Sequence, residues 1–320
     1  MDSHTQRKAY PAIDPYETGR LAVGDGHEIY YELCGNPDGK PIVFLHGGPG
    51  SGSSTQHRRL FDPARYRIIL LDQRGCGRSS PLGELEANTT WHLVEDLALL
   101  RKKLGIERWV LFGGSWGATL ALAYAERYPE TVSAMILRGV FSGRPSELAW
   151  FYETGANRLF PDQWESFVAQ VPQSEQDDII GAYRRRLTDP DRSVRAAAAA
   201  SWTQWESATV MMRSGAVPRS TPSVSDATIA FARIENHYFY HGLWLEEGQL
   251  IRDAVRLSKI PGVIVQGRYD VVTPAITSWQ LAEVWTRADY RMVEGAGHAF
   301  AEPGILQELL AASDRFAAAS

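Results

Sequence analysis

Five segments of the chain are apolar at almost every position, and most run into glycine or a polar turn: "PIVFLHGG" (41–48), "YRIILLDQRG" (66–75), "RWVLFGGS" (108–115), "VSAMILRGV" (132–140) and "IPGVIVQG" (260–267). Strands read this way when helices cover both faces of a parallel sheet, because neither face is left for water. Between them the period changes. "NTTWHLVEDLALLRKKLG" (88–105) places apolar residues at helical spacing behind a polar start and halts at a glycine, which predicts an amphipathic helix. Ala118 to Arg127 are helix formers stopped by Pro129, and further helices are expected over 274–286 and from about Pro303, with a last strand at "ADYRMVEG" (288–295). Near the start, "LAVGDGHEIYYELCG" (21–35) alternates around a Gly-Asp-Gly turn and predicts a hairpin. Strands alternating with helices imply an α/β architecture.

The alternation stops from about Phe141 to about Gly248. That stretch is Trp-rich and helix-like, with no convincing strand and with an alanine run at 196–200 that acts only as a helix former. An insert of this length between two sheet strands predicts a second, all-helical layer. Its expected place is a cap over the carboxyl ends of the strands, where open α/β sheets carry their sites. The expected division is a catalytic domain at 1–140 and 249–320 with a cap at 141–248.

Composition narrows the function classes. With 320 residues, 44% hydrophobic and 22% charged, the chain can bury a sizeable core and does not resemble a disordered one. A net charge of −5 gives no electrostatic reason to expect nucleic acid or an anionic membrane as partner. The triplet Arg184 to Arg186 is expected on a solvated helix face. No stretch approaches the ~20 apolar residues needed to span a bilayer, and "MDSHTQRKAYPAID" lacks the apolar region of an export signal, so a soluble, unexported protein is expected. Cys34 and Cys76 lie in unlike contexts and predict reduced thiols. CxxC, HExxH, EF-hand and P-loop patterns are absent, so neither a metal nor a cofactor is expected.

Gly113-Gly114-Ser115-Trp116-Gly117 lies where the third strand must become a helix. Glycines flank a serine in this way when the turn is too tight for side chains and strain points the hydroxyl outward. A serine needs a base to be nucleophilic, and the base needs an orienting group. In hydrolases built on an open α/β sheet those partners follow in the order acid, then histidine. "QGRYD" sets Asp270 just past one buried strand and "EGAGH" sets His298 just past the next, both on the rim that carries Ser115. For the developing oxyanion, the amide of Trp116 follows the serine, and "HGGPG" (46–50) brings a second amide from Gly47 or Gly48. His46 reads as a structural hydrogen-bonder. In the insert, Glu206 shares a helix face with Trp202, and Glu235 is four residues from both Phe231 and Phe239. Carboxylates on such faces are costly unless something cationic pairs with them, either a substrate amine or an arginine such as Arg233 or Arg213.

"HGGPG", "DQRGCGRSSP", "GGSWG", "RGVF", "WTQWE", "ARIENHYF", "GRYD" and "GAGH" together resemble the prolyl aminopeptidase, or proline iminopeptidase, family of the α/β-hydrolase superfamily over nearly the whole chain. The resemblance implies an α/β-hydrolase fold, a mostly parallel sheet flanked by helices, with an inserted all-helical cap domain. It implies Ser115 as nucleophile, His298 as base, Asp270 as orienter, and the Gly48 and Trp116 amides, with Gly47 beside them, as the oxyanion hole. Glu206 and Glu235 would hold the substrate's amino group, and Phe141, Phe151 and Phe239 would line the pocket for the pyrrolidine ring. Short peptides with N-terminal proline are the implied substrates, in the cytoplasm. The chain departs from many relatives at Ala118 and from several at Val272, which puts their sensitivity to thiol reagents in doubt and leaves Cys76 as its candidate source. Two rivals stand beside this reading: an amidase or esterase of the same fold acting on amino-acid amides or small acyl esters, and a catalytically silent member that binds a ligand beneath its cap.

Overall fold

A computed structural model describes residues 8–210 and 224–318. An eight-stranded sheet runs through it in the order β1-β2-β4-β3-β5-β6-β7-β8. The strands are β1 (Glu17–Gly24), β2 (His27–Gly35), β3 (Lys40–Leu45), β4 (Tyr66–Asp72), β5 (Trp109–Ser115), β6 (Val132–Val140), β7 (Gly262–Gly267) and β8 (Ala288–Val293). β1 with β2 and β2 with β4 are antiparallel, and every other pairing is parallel. The hairpin turns at Asp25 and Gly26, both at positive φ, as a tight Asp-Gly connection requires. It begins at Glu17, earlier than alternation shows, because Glu17 to Arg20 pair with β2 while remaining largely exposed.

The uninterrupted apolar runs are explained by the two faces. Val43, Leu45, Ile69, Leu71, Leu111, Met135, Leu137 and Ile264 join one core cluster with α2 (Thr90–Lys103) and α3 (Trp116–Arg127). Their neighbours Ile42, Phe44, Ile68, Leu70, Val110, Phe112, Ile136, Val263 and Val265 join the other, under α12 (Pro303–Ala318). Alternate residues point to opposite faces, so both sets must be apolar. α2 begins on the Thr89 hydroxyl, which accepts from the His92 amide, and ends at Leu104 with three basic residues in its last turn. A short helix, α1 (Thr55–Arg58), interrupts the β3–β4 connection and carries no periodic signal.

β6 and β7 are sheet neighbours, yet the chain between them is long. Its described residues contain helices and no strand: α4 (Pro145–Tyr152), α5 (Ala156–Leu159), α6 (Pro161–Val168), α7 (Ile179–Leu187), α8 (Arg192–Val210), α9 (Asp226–Tyr240) and α10 (Gln249–Arg252). α11 (Ala275–Val284) then follows β7. Packing of α7 against α8 and α9 alters the expectation for the arginine triplet. Arg184 donates to Nδ1 of His237 and Arg186 to Glu175 and the carbonyl of Ala182, so only Arg185 is on a solvated face.

Glu126, in the last turn of α3, is buried with Oε1 unpaired among the described residues. Burial, reinforced by the charge of Asp253, lifts its carboxyl to about 9. The folded protein then binds a proton that the unfolded chain releases above about pH 4.3, so this group takes away stability as pH rises from there towards 9. Replacing it with an uncharged isostere, Glu126→Gln, is expected to raise Tm by a few degrees at pH 8 and to change little at pH 4 in calorimetric scans.

Candidate active site

Ser115 closes β5 and starts α3 with φ 58° and ψ −127°, a backbone conformation that non-glycine residues rarely hold. The surrounding glycines make it sterically feasible. A Cβ on Gly113 would collide with the carbonyl of Gly117, and one on Gly117 with the carbonyl of Leu45 at the end of β3. The turn is therefore clamped between its own helix and the neighbouring strand, and Ser115 is left facing a cavity of about 500 Å³.

His298 and the loop residues Gly47 and Gly48 line the same cavity. Behind His298, Asp270 accepts from its Nδ1 at 2.8 Å. Asp270 also accepts from the Thr273 amide (2.8 Å), the Thr273 hydroxyl (2.9 Å) and the Gln266 amide (3.3 Å). Burial by itself would raise the Asp270 carboxyl, but the facing His298 and these bonds hold it below the usual carboxylate range. With an ionised carboxylate on Nδ1, that nitrogen carries the ring proton and Nε2 is the basic one. Burial lowers His298 against the pull of Asp270, so the ring is neutral at pH 7 and able to accept a proton.

Trp116 opens α3, where backbone N–H groups have no helical partner. Its buried indole donates to Oε1 of Gln73 at 2.8 Å, while Nε2 of the same amide donates to the carbonyl of His46 at 3.1 Å. One side chain thus ties the start of α3 to the glycine loop after β3. The backbone N–H of Gln73 donates to Nε2 of His46, so His46 must carry its proton on Nδ1, which donates to the carbonyl of Gly47. His46 is a structural hydrogen-bonder, as its sequence context suggests.

Glu206 from α8 and Glu235 from α9 reach the cavity beside Ser115. The Tyr152 hydroxyl donates to Oε1 of Glu206 at 2.5 Å, and the Trp202 indole donates to Oε2 of Glu235 at 2.7 Å. Tyr152 and Trp202 stack on one another with centroids 4.8 Å apart. The second oxygen of each glutamate has no protein partner, and no cationic side chain pairs with either, among the described residues. Arg233 donates instead to the carbonyl of Leu187, and Arg213 lies outside the described residues. Burial raises Glu206 to about 7, opposed by the Tyr152 bond. Burial, and then the charge of Glu206, raises Glu235 well above the usual range. Two carboxyls without a counter-ion hold protons more tightly than separate ones, and a cation placed between them would release that strain.

A narrow recess continues from Ser115 and both glutamates, walled by Phe141, Phe151, Tyr152 and Phe239. The three expected phenylalanines are therefore brought together with the serine. Tyr152, Trp202, Gln73 and Thr273 were not legible as site residues. The partners of Tyr152, Trp202 and Gln73 are far apart in sequence, an aromatic residue inside a helix gives no sign of where its polar edge points, and Thr273, three residues from Asp270, lies in a turn whose geometry the pattern does not give. Cys76 is buried, donates to the carbonyl of Gln73, and has its thiol pushed well above the usual range by burial. That environment withholds it from reagents, against its place in the sequence analysis as the candidate source of thiol sensitivity.

The chain matches the family described by the alpha/beta hydrolase fold over residues 40–304. It is 51% identical to a proline iminopeptidase of Xylella fastidiosa over 311 residues, covering 97% of this chain and 99% of that one. A proline iminopeptidase of Arabidopsis thaliana is 45% identical over 98% of this chain and 83% of its own length. Among solved structures, a proline iminopeptidase-related protein from Thermus thermophilus superposes with a TM-score of 0.58 at 26% identity, covering 92% of this chain and 97% of that one. An esterase from Rhodococcus superposes with a TM-score of 0.60 at 20% identity, over 94% and 98%.

Cys34 is also buried, with its thiol raised to about 12, and neither cysteine is in a disulfide. In a titration with Ellman's reagent the native protein is expected to show no fast-reacting thiol, and both should react once guanidinium unfolds it.

Proposed function

The chain belongs to the proline iminopeptidase family of α/β hydrolases, and from that premise we propose how its own residues release an N-terminal proline from a peptide. Ser115 is the nucleophile, His298 the general base and Asp270 the group that orients it. The prolyl ring enters the recess of Phe141, Phe151 and Phe239, and its ammonium group lies between Glu206 and Glu235, taking the oxygen of each that faces the cavity. The observation that carries this reading is a carboxyl pair, Glu235 buried and Glu206 half-buried, with no cationic partner among the described residues, beside a strained serine. A secondary ammonium offers two N–H donors and one positive charge, which is what two such acceptors lack.

Ser115 Oγ attacks the prolyl carbonyl carbon while its proton passes to Nε2 of His298. The carbonyl oxygen becomes an oxyanion held by the amides of Trp116 and of Gly48 or Gly47, each such donor contributing roughly 3–4 kcal/mol to the transition state. Collapse breaks the C–N bond, and the leaving amine takes the proton from His298. Water, deprotonated by the same nitrogen, then hydrolyses the prolyl ester and restores Ser115. The helices between β6 and β7 act in this reading as a cap domain that closes the ring end, so a residue preceding proline would collide with them and lose the charge pairing. The two unpaired, reduced thiols fit a cytoplasmic setting. Among the described residues no helix is long and apolar enough to cross a membrane.

Initial rates on Pro-, Ala- and acetyl-Pro-p-nitroanilide test the assignment. Ser115→Ala is expected to lower kcat by at least ~10⁴-fold with the fold intact. Glu235→Gln should lower kcat/KM on the free-amine substrate by roughly 10- to 100-fold, the worth of one charge-assisted bond. Equal release from the acetylated substrate would leave Ser115 its role and remove that of the glutamates.

A pH series separates the two sites further. Protonation of Glu206, centred near 7 in the free enzyme, removes the charge that the ammonium needs. KM for Pro-p-nitroanilide should therefore climb as pH falls from 8 to 6, while KM for p-nitrophenyl acetate, which has no amine, should stay level.

A further inference from the structure

Arg138 is the one charged residue in the apolar run of β6, where it pairs in register with Gly114 of β5. Its guanidinium lies flat against that glycine: a Cβ at 114 would collide with Cζ, Nε and Nη2. Nη1 donates to the carbonyl of His298 at 2.8 Å. Nε has no partner, and no carboxylate lies within ion-pair distance, among the described residues. Asp270 is the nearest acidic influence, but its oxygens are already taken by His298, Thr273 and Gln266. Arg138 nevertheless lines the cavity that holds Ser115 and His298. A guanidinium shielded from water without a counter-ion is unfavourable, and partial burial here lowers it to about 10.

The cavity has two ends that meet at Ser115. Phe141, Phe151, Tyr152 and Phe239 wall only the narrow recess, whereas Phe44, His57, Phe112, Arg138 and Phe300 wall only the wider chamber. His57 stacks on Phe44 and stands edge-on to Phe300, and burial keeps it neutral by lowering it to about 4. With the prolyl ring in the recess, the departing part of the substrate occupies the chamber. The chamber offers an aromatic wall and one uncompensated positive charge. In a dipeptide, the carboxylate is attached to the carbon next to the scissile nitrogen; in a longer peptide, a neutral amide stands there.

Building on the reaction proposed above, we propose that Arg138 binds the C-terminal carboxylate of a Pro-X dipeptide, so that the site is charge-matched to a zwitterion: carboxylates for its ammonium end and a guanidinium for its carboxylate end. The aromatic wall takes the side chain of X. Dipeptides with an apolar or aromatic second residue are then preferred substrates. Arg138 also steadies the His298 loop through its carbonyl, and that contribution acts on every substrate alike.

The test compares kcat/KM for Pro-Phe and Pro-Phe-amide, which differ only in the terminal charge. In the unaltered enzyme the free acid should be favoured by about 10- to 100-fold, the worth of a hydrogen-bonded charge pair. Arg138→Gln should bring the ratio close to one, and Arg138→Lys should restore part of it, whatever general loss either substitution causes through His298. A ratio near one in the unaltered enzyme, or an undiminished ratio in Arg138→Gln, overturns the proposal. The first of these needs no folded variant. Failure of the unaltered enzyme on both dipeptides and on Pro-p-nitroanilide would instead overturn the aminopeptidase reading on which the proposal rests.

Discussion

The conformation forced on Ser115 sets the terms for everything around it. Held at positive φ between strand and helix, it needs the backbone of α3 to pass close to β5 and β3, and Gly113 and Gly117 exist to permit those approaches. Strain of this kind, of order 1–3 kcal/mol, persists only where the surroundings over-determine the geometry. Here they do so through Gln73, which joins the start of α3 to the loop after β3, and through His46, whose tautomer is fixed by the bonds at both ring nitrogens. The amides proposed for the oxyanion hole are carried by these two segments. Their separation is therefore set by a side chain that never faces the cavity.

The second determinant is electrical. Placing Glu206 and Glu235 among aromatic side chains, and Arg138 in an apolar strand, with no ion-pair partner among the described residues, goes against the rule that interior charges are compensated. Each is half satisfied: one glutamate oxygen by Tyr152, another by Trp202, one guanidinium nitrogen by a backbone carbonyl. Such partial satisfaction orients the group while leaving its remaining polar atoms without a partner among the described residues. Full satisfaction within the protein, as in the Arg74–Asp96 pair, produces a structural tie instead. The difference separates the groups that hold the fold together from those proposed to bind the substrate.

Much of this was legible in the sequence because the sheet is buried on both faces and the strands are uninterrupted. The runs at 41–48, 66–75, 132–140 and 260–267 all contain strands, and a glycine-flanked serine has few structural explanations. Asp270 and His298 could be placed because parallel strands put their carboxyl ends on one rim. The strand order, with β4 outside β3, was not legible, since local pattern carries no information on which strands adjoin. Neither were Tyr152 and Trp202, which act on glutamates 54 and 33 residues away. Arg138 did leave a signal, a lone cation in an apolar strand, but one sequence gives no means of telling a cavity floor from a surface edge.

β6 and β7 lie side by side although all the helices from α4 to α10 are strung between them. Ser115 belongs to the part of the sheet that is complete before that excursion, and Asp270 and His298 to the part added after it. As the chain leaves the ribosome, the strands up to β6 can assemble first, presenting a formed serine turn with no base. In the proposed mechanism the serine becomes nucleophilic only when β7 and β8 dock against the waiting edge of β6. On that mechanism a half-made molecule is a peptidase with its reactive group still disarmed, and the order of the strands along the chain would do what a removable pro-segment does in other proteins.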